Sequence, residues 1–526
     1  MKRLLAILLS ASMVVGIPAT ALAEENVTLD VIFYTNSLTK EMGELEYIQK
    51  MAEEANVTLE IEQISSGWDE IKSTLLASGD IPDLIIGKDA ILSSDVAQFK
   101  GLFADMSGMI DEYAPNIRKA FDEHPELEYL ATSEDGTVYG IPKYQRFWPK
   151  TYIRQMINQE WLDNLGLESP RTFDELYNVL LAFKEQDANG NGDPGDEIPM
   201  DFAAGVASHS VYQIPWALCL LCGYGIPVSA ITDDGWYLEE GEVKNIYMSD
   251  EYYDLLQFLS KCWNDGLINT EIFTQDYATY AATSRNGVVG YTLGWDITDR
   301  MGSGELADQY EVIGTILPSE EYADQAVWET SYYTLNYAYP TAVMSDACEN
   351  KEAAMRFLNL FYDDTYAIQE LFGSIGECIQ DNGDGTYSVL PPADETMDPG
   401  TWKWTNAQAD SGCMYISDDI ELELPSDMQV IEGLDEVYAE EIERIGDDMW
   451  PGAFLQYSDE ANSELSFYMT DLQNLFETSF AEWLTEGGVD GAAWEAYKEN
   501  ARNAGYEEAR TIVQTAVDDY FEYMGK

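Results

Sequence analysis

Residues 139–166 read YGIPKYQRFWPKTYIRQMINQEWLDNLG. The stretch opens as a strand end punctuated by Gly140 and Pro142 and passes through Lys143, Tyr144, Arg146 and Trp148. It then becomes an apolar, helix-compatible segment that reaches Trp161 and Leu162. A strand, then bases and rings, then a new helix is how a chain leaves one α/β lobe, lines a cleft and begins a second lobe. Ligands sit at such junctions because a few polar groups converge there on apolar walls. The function of this chain is therefore sought between two lobes.

Upstream, strand and helix alternate. Residues 27–35 (VTLDVIFYT) are β-branched and aromatic, 38–55 carry helical spacing, 57–64 alternate again, 68–77 are helical, and 82–86 form a short apolar strand. This βαβαβ order predicts a parallel sheet covered by helices on both faces. Ligands of such sheets bind beyond the carboxyl ends of the strands. Those ends carry Tyr34, Thr35 and Asn36 on the first strand, and Lys88 and Asp89 on the third.

The first 23 residues have a basic start (Lys2, Arg3), an apolar run over 4–17 and Ala21-Leu22-Ala23 at a cleavage position, the pattern of an export signal. The run is short of the ~20 residues that a membrane anchor needs. The mature chain is expected to begin near Glu24 outside the cytoplasm, with no lipid-anchor cysteine at the cleavage site. The 526 residues hold 27 basic against 97 acidic side chains, a net charge of −70. Such a field repels polyanions, which disfavours nucleic acid and anionic membranes and points to a neutral or cationic ligand. With 46% hydrophobic and 12% aromatic residues the chain is not a disordered acidic one, and its length suits two or three packed domains.

The six cysteines follow no disulfide framework. Cys219 and Cys222 form a CxxC inside the apolar run IPWALCLLCGYG, where they read as small buried hydrophobes. Only two histidines, His124 and His209, are present, both apart from the cysteines, which argues against zinc.

Past the crossing, Thr172 and Glu175 have capping-box spacing before a helix with Leu176, Val179, Leu180 and Phe183 on one face. Then follows DANGNGDPGDEIP, residues 187–199. Oxygen side chains at Asp187, Asn189, Asn191 and Asp193, with Gly192 sixth, match the front half of an EF-hand loop. The twelfth position is Ile198 instead of Glu, so Asp196 and Glu197 would have to close the shell. The spacing by itself fits either a structural calcium site or a turn rich in Asn and Asp.

Farther on, 286–295 (NGVVGYTLGW) is a turn and a buried-type strand ending on Trp295 and Asp296. Residues 310–318 form another strand, 327–343 a long strand-like run returning to the first lobe, and 351–371 a helix. Residues 381–389 carry a hairpin signal, and from 427 onward the pattern is helical, with Trp483, Trp494 and Tyr497 at core positions. Sugars offer C–H faces to flat rings and hydroxyls to polar groups. Tryptophans in loop-like or strand-end contexts are Trp68, Trp148, Trp216, Trp295, Trp328, Trp402 and Trp404.

Four stretches carry a family resemblance: WDEIKSTLLASGDIPDLI (68–85), the run from VYGIP to FDEL (138–176), the 187–199 loop, and the run from NGVVGYTLGW to AAMRFLNLFY (286–362). The closing segment, 465–520, agrees with them. In this order they resemble extracellular solute-binding proteins of the family 1 type, the sugar receptors of ABC importers, and in particular the long lipoprotein-like branch that includes alginate-binding proteins. The resemblance implies an α/β, two-lobed periplasmic-binding-protein (Venus flytrap) fold, each lobe a mixed sheet flanked by helices and joined by several hinge crossings. It divides the chain into a first lobe of 24–145 and 330–376, and a second of 146–329 and 377–526 with a helical C-terminal region. It implies stacking of a pyranose on Trp295 and contacts from Asn36, Lys88, Asp89, Arg146 and Trp148, with Trp216, Asp296, Trp328 and Trp404 as further candidates. It also implies calcium in the 187–197 loop. A monomer would deliver a neutral oligosaccharide to membrane permease subunits driven by a cytoplasmic ATPase. A secreted carbohydrate-active enzyme and a peptide receptor of the same architecture are the competing readings. An acid–base carboxylate pair would mark the enzyme, but 97 acidic residues supply such pairs by chance. No nucleophile elbow, HExxH or phosphate-binding loop is present.

Overall fold

A computed structural model describes residues 26–193, 195–204, 214–232, 234–394, 397, 399–424 and 433–526. The leader, the mature N-terminus near Glu24, His209 and Pro194 lie outside the described residues. The chain first lays down β1 (Val27–Tyr34), β2 (Val57–Ile64), β3 (Leu84–Ile86) and β4 (Gly140–Tyr144), then leaves for β5 (Arg154–Asn158), β6 (Ile198–Asp201), β7 (Trp236–Glu239), β8 (Glu242–Asn245), β9 (Val289–Gly294) and β10 (Tyr310–Ile313). It returns as β11 (Tyr337–Met344) and closes its strands with β12 (Ile379–Asp381), β13 (Thr386–Val389) and β14 (Glu421–Glu423).

The first sheet has the order β2-β1-β3-β11-β4, with β1 parallel to both β2 and β3 and with β11 antiparallel to β3 and β4. The second has the order β10-β5-β9-β6 and is also mixed. Each sheet sits in its own apolar core. In the first, Leu29, Val31 and Phe33 alternate inward from β1, and Leu84 and Ile86 are fully buried on β3. In the second, Trp161, Phe183, Tyr291 and Trp328 meet an apolar segment over 214–222 that includes the cysteine pair. All six cysteines are buried and unpaired. Two lobes with mixed sheets are thus observed.

Order β2-β1-β3 places a switch in strand direction of travel between β1 and β3, and hence a crevice at their carboxyl ends. Gln408 fills it, its amide donating to the carbonyls of Tyr34 (2.8 Å) and Ile86 (3.3 Å). Gly87 makes room: a Cβ there would lie 2.4 Å from the Tyr34 carbonyl oxygen.

Three expectations about the chain path are corrected. Residues 377–424, assigned to the second lobe, pack on the first: Lys40 N donates to Thr405 O (3.0 Å), Lys88 N to Ser411 O (2.7 Å) and Tyr144 N to Met414 O (2.9 Å). They form a small core of their own with Phe147 and Phe372. The helix expected over 38–55 spans only Glu46–Glu54, because Asn36 caps a turn through Leu38 N (2.9 Å) and Thr39 is tied to Trp404 O (3.0 Å). The strand expected over 327–343 is broken by the short helix Tyr332–Asn336. Here the second crossing runs beside the first, pinned by Glu329. This fully buried carboxylate accepts from Thr151 Oγ1 (2.7 Å), Tyr152 N (2.7 Å) and Ile153 N (3.1 Å) on one crossing, from the Ser331 hydroxyl on the other, and from Ala230 N (3.3 Å). The last helix, Tyr506–Met524, packs Val513 and Val517 on the second core and Tyr520 on the first.

Candidate functional site

The first crossing sends Trp148 out between the lobes, where its indole meets that of Trp295 edge-on at 5.3 Å between ring centres. Trp295 follows β9 of the second lobe and is flanked by Tyr152 at 5.4 Å. Behind it lies Arg154, which opens β5. Its guanidinium is 5.3 Å from the Trp295 ring, donates to the Trp295 carbonyl and pairs with Asp435 at 2.5 Å. On the other side of Trp148 the Lys403 ammonium stands 5.5 Å from its ring centre and 5.8 Å from that of Trp404. The helix Pro399–Asn406 presents Lys403 and Trp404 over the carboxyl ends of β1 and β3. Both tryptophans and Trp295 are half-buried. A continuous band of Trp404, Lys403, Trp148, Trp295 and Tyr152 therefore joins the two lobes.

Below the band, Lys403 pairs with Asp410 at 2.6 Å, and Lys143 of β4 donates to the Asp410 carbonyl at 2.6 Å. Burial, and then the charges of Lys88 and Lys403, push the Lys143 ammonium down to about 8 against the pull of Asp410. Burial disfavours the Asp410 carboxylate, yet Lys403 and Lys143 outweigh it and hold its pKa below the ordinary value. Glu370 lies at the back of this cluster, fully buried, and burial pushes it up to about 8 against the opposing pull of Tyr47 and Lys143.

Of the residues expected at the site, Trp148, Trp295 and Trp404 come together. Asn36, Lys88 and Asp89 stand at the strand ends beside them, Asn36 capping its turn and Asp89 exposed at φ 63°. Four others are corrected. Trp328 is fully buried, stacked on Tyr438 at 4.4 Å with its indole N–H on Ile153 O (2.9 Å). Trp216 is buried in the same core, against Tyr280. Asp296 is buried as a helix cap, accepting from Asp299 N (2.8 Å) and Thr298 Oγ1 (2.7 Å). Arg146 turns toward the 377–424 segment, donating to Ile420 O and lying 4.0 Å from Asp418. The sequence reasoning missed Tyr152, Arg154, Lys403 and Asp410. For Arg154 a signal existed: an arginine inside an apolar strand requires a buried partner.

The 187–197 loop is wound by its own side chains. Asn189 and Asn191 each accept from the backbone N–H two residues on (2.9 and 2.8 Å), and Asp187 Oδ2 accepts from Gly192 N (2.9 Å). The outer Asp187 Oδ1 and Glu197 Oε2 are buried without any donor. Two bare carboxylate oxygens beside Asn carbonyls suit an oxygen-seeking cation such as calcium. Asp196, expected as a ligand, accepts from the Asn189 and Asn191 amides instead (3.0 and 2.7 Å), which leaves Glu197 to close the shell. No group of three or more His, Cys, Asp or Glu among the described residues converges as a metal cluster, so Asn and backbone oxygens would have to complete this one.

Two lobes, two crossings that run side by side and an aromatic band between the lobes define a solute-binding protein. Residues 37–368 match the bacterial extracellular solute-binding protein family, and the chain belongs to it. The chain is similar to the fructooligosaccharide ABC transporter substrate-binding protein FusA of Streptococcus pneumoniae, at 26% identity over 94% of this chain and 91% of that one. It is similar in structure to an HMO-binding, ABC-transporter-associated solute-binding protein of Bifidobacterium longum infantis, with a TM-score of 0.83, 27% identity, and 94% and 99% of the two chains covered. It also matches the polygalacturonan/rhamnogalacturonan-binding protein YtcQ of Bacillus subtilis, at 25% identity over 61% of each chain. These relatives are binding proteins. No helix among the described residues is long and apolar enough to cross a membrane.

Proposed function

We propose that this protein is the extracytoplasmic receptor of an ABC importer, closing its two lobes on an oligosaccharide and delivering it, uncleaved and as a monomer, to membrane permease subunits driven by a cytoplasmic ATPase. The observation that carries this reading is the Trp148–Trp295 pair, one ring from the crossing and one from the second lobe, 5.3 Å apart. Flat rings from two sources stack on the C–H faces of consecutive sugar units. A ligand that touches both lobes stabilises the closed state by its difference in affinity between open and closed forms. The relatives' sugars support the class, and their range, from fructooligosaccharide to polygalacturonan, leaves its charge to the site itself.

Against turnover stands the engagement of the carboxylates tied to the band: Asp296 caps a helix, Asp410 pairs with Lys403 and Asp435 with Arg154. A hydrolase needs one such group as acid and another as base or nucleophile. Calcium in the 187–197 loop is part of the proposal as a structural ion, supported by the two bare oxygens of Asp187 and Glu197. Export through the leader at 1–23 is the remaining part. A thermal-shift screen of the purified protein against oligosaccharides and peptides tests the whole, since binding to the native state raises Tm. A rise with a sugar recovered intact supports the receptor. Shortened sugar would transfer the case to an enzyme, and a response to peptides alone would replace the ligand class.

A further inference from the structure

We infer that the first-lobe wall of the cleft is a carboxylate subsite, in which Lys88 and Lys403, backed by Lys143, hold the acidic group of a uronate- or sialate-type oligosaccharide. This rests on the sugar-receptor reading and adds the charge of the sugar.

With 97 acidic side chains against 27 basic, any patch of this chain is expected to be acid-rich. Around Asp410 the balance reverses. Lys88 from the loop after β3, Lys143 from β4 and Lys403 from the helix Pro399–Asn406 all act on this one carboxylate. Lys143 and Lys403 reach it at 2.6 Å each, through its carbonyl and its carboxylate. The backbone of Lys88 is tied to Ser411 at 2.7 Å, and its ammonium has no ion-pair partner among the described residues. The second acid of the cluster, Glu370, is fully buried, and burial holds it toward its neutral form against the pull of Tyr47 and Lys143. Three lysines thus gather around Asp410, one on its carboxylate and one on its backbone carbonyl, with Glu370 buried behind them.

Like charges gathered in this way oppose each other in the empty protein, and an anion relieves them. Lys143 is 2% exposed and uses one of its three N–H donors on Asp410, so the wall keeps unused donors beneath its surface. The loops that carry Lys88 and Asp410 are also strained. Asp89 and Ala409, next to Lys88 and Asp410, both have left-handed backbone (φ 63° and 53°), a conformation that costs non-glycine residues free energy and collects at ligand sites. The rings fix where the anion goes. Lys403 stands beside the faces of Trp148 and Trp404, at the edge of any sugar stacked on them, where a uronate carries its exocyclic carboxylate. The chain-wide charge of −70 points to an uncharged ligand, but at contact distance the local lysines outweigh charges screened beyond about 8 Å.

The test is calorimetry on the full chain with matched pairs: oligogalacturonate and its methyl ester, sialyllactose and lactose, and oligomannuronate with kestose as the uncharged reference. The inference expects at least one acidic sugar to bind tenfold or more tighter than its uncharged counterpart, and expects 0.5 M salt to remove most of that margin. Lys88→Met, which breaks no ion pair, and Lys403→Gln are each expected to cut the preference for the acidic sugar over its uncharged counterpart at least tenfold. Lys88→Met keeps the test valid if Lys403→Gln disturbs the Asp410 pair. A neutral sugar that binds with no acidic one preferred overturns the subsite and leaves the receptor standing, as does acidic binding indifferent to both substitutions. Binding of no sugar at all overturns both.

Discussion

The guanidinium of Arg154 lies 5.3 Å from the centre of the Trp295 indole while donating to the carbonyl of the same residue. One buried cation thereby fixes both the ring and the backbone of the residue best placed to stack on a sugar. Asp435 holds that cation in turn, and its other oxygen accepts from Lys150 N of the first crossing (2.8 Å). The pose of the ring is therefore linked to the first crossing and to the segment that carries Asp435.

Replacing Trp295 by Ala removes the stacking face and leaves the core intact, since the ring is only half-buried. Loss of a buried aromatic face costs about 2 kcal/mol, on the order of 30-fold in Kd. Titration of Trp295→Ala with the sugar found by thermal shift should show this with Tm nearly unchanged. Affinity within twofold of the parent would remove Trp295 from the site.

Trp328→Ala should do the opposite. Its ring is fully enclosed between Tyr438 and the second-lobe core, so truncation leaves a cavity and an orphaned Ile153 carbonyl, costing about 3–5 kcal/mol of stability. Denaturant unfolding should report that loss. A variant as stable as the parent, yet deficient in sugar binding, would return Trp328 to the cleft.

The contrast between these two tryptophans shows what was legible in the chain. Local periodicity is enough to place β1 to β3 and the Thr172 capping box, where Thr172 Oγ1 accepts from Glu175 N at 3.3 Å, because both depend on neighbours in sequence. Residue type does not tell whether an indole faces a cleft or a core, so only the family resemblance sets Trp295 apart from Trp328, which stays a candidate beside it. Residues 377–424 were misplaced for a related reason. They dock on the first lobe through backbone bonds at Lys40, Lys88 and Tyr144 and through side chains such as Gln408 on Tyr34 and Tyr415 on Glu123, and contacts between residues so far apart in sequence leave no local periodicity to read. Lys403 and Asp410 stayed hidden with them, because their meaning depends on that docking.

Chelation tests the 187–197 loop. If calcium closes on Asp187 Oδ1 and Glu197 Oε2, a concentration 100-fold above its Kd adds about 2.7 kcal/mol to folding stability. EDTA should lower Tm, calcium should restore it and magnesium should not, while Asp187→Ala should abolish the response. A Tm indifferent to EDTA would assign the loop to its own Asn and Asp turns.

The buried Glu370 makes stability depend on pH in a direction that can be worked out. Its environment comprises Tyr47, whose phenol is pushed up by burial and by Glu370 itself, the Lys143 ammonium, and Gly412, where a Cβ would lie 2.3 Å from Glu370 Oε1. Burial raises its pKa from 4.5 to about 8, against the opposing pull of the Tyr47 hydrogen bond and of Lys143. The folded protein therefore binds this proton more tightly than the unfolded chain does. The contribution is fully present below pH 4.5 and is lost progressively as pH rises through about 8. Glu370→Gln keeps the shape and cannot ionise, so the parent should lose stability relative to this variant across that window. Urea midpoints at pH 5, 6.5 and 8 measure the difference, and parallel profiles would mean that Glu370 stays charged in the fold, with Tyr47 and Lys143 outweighing its burial.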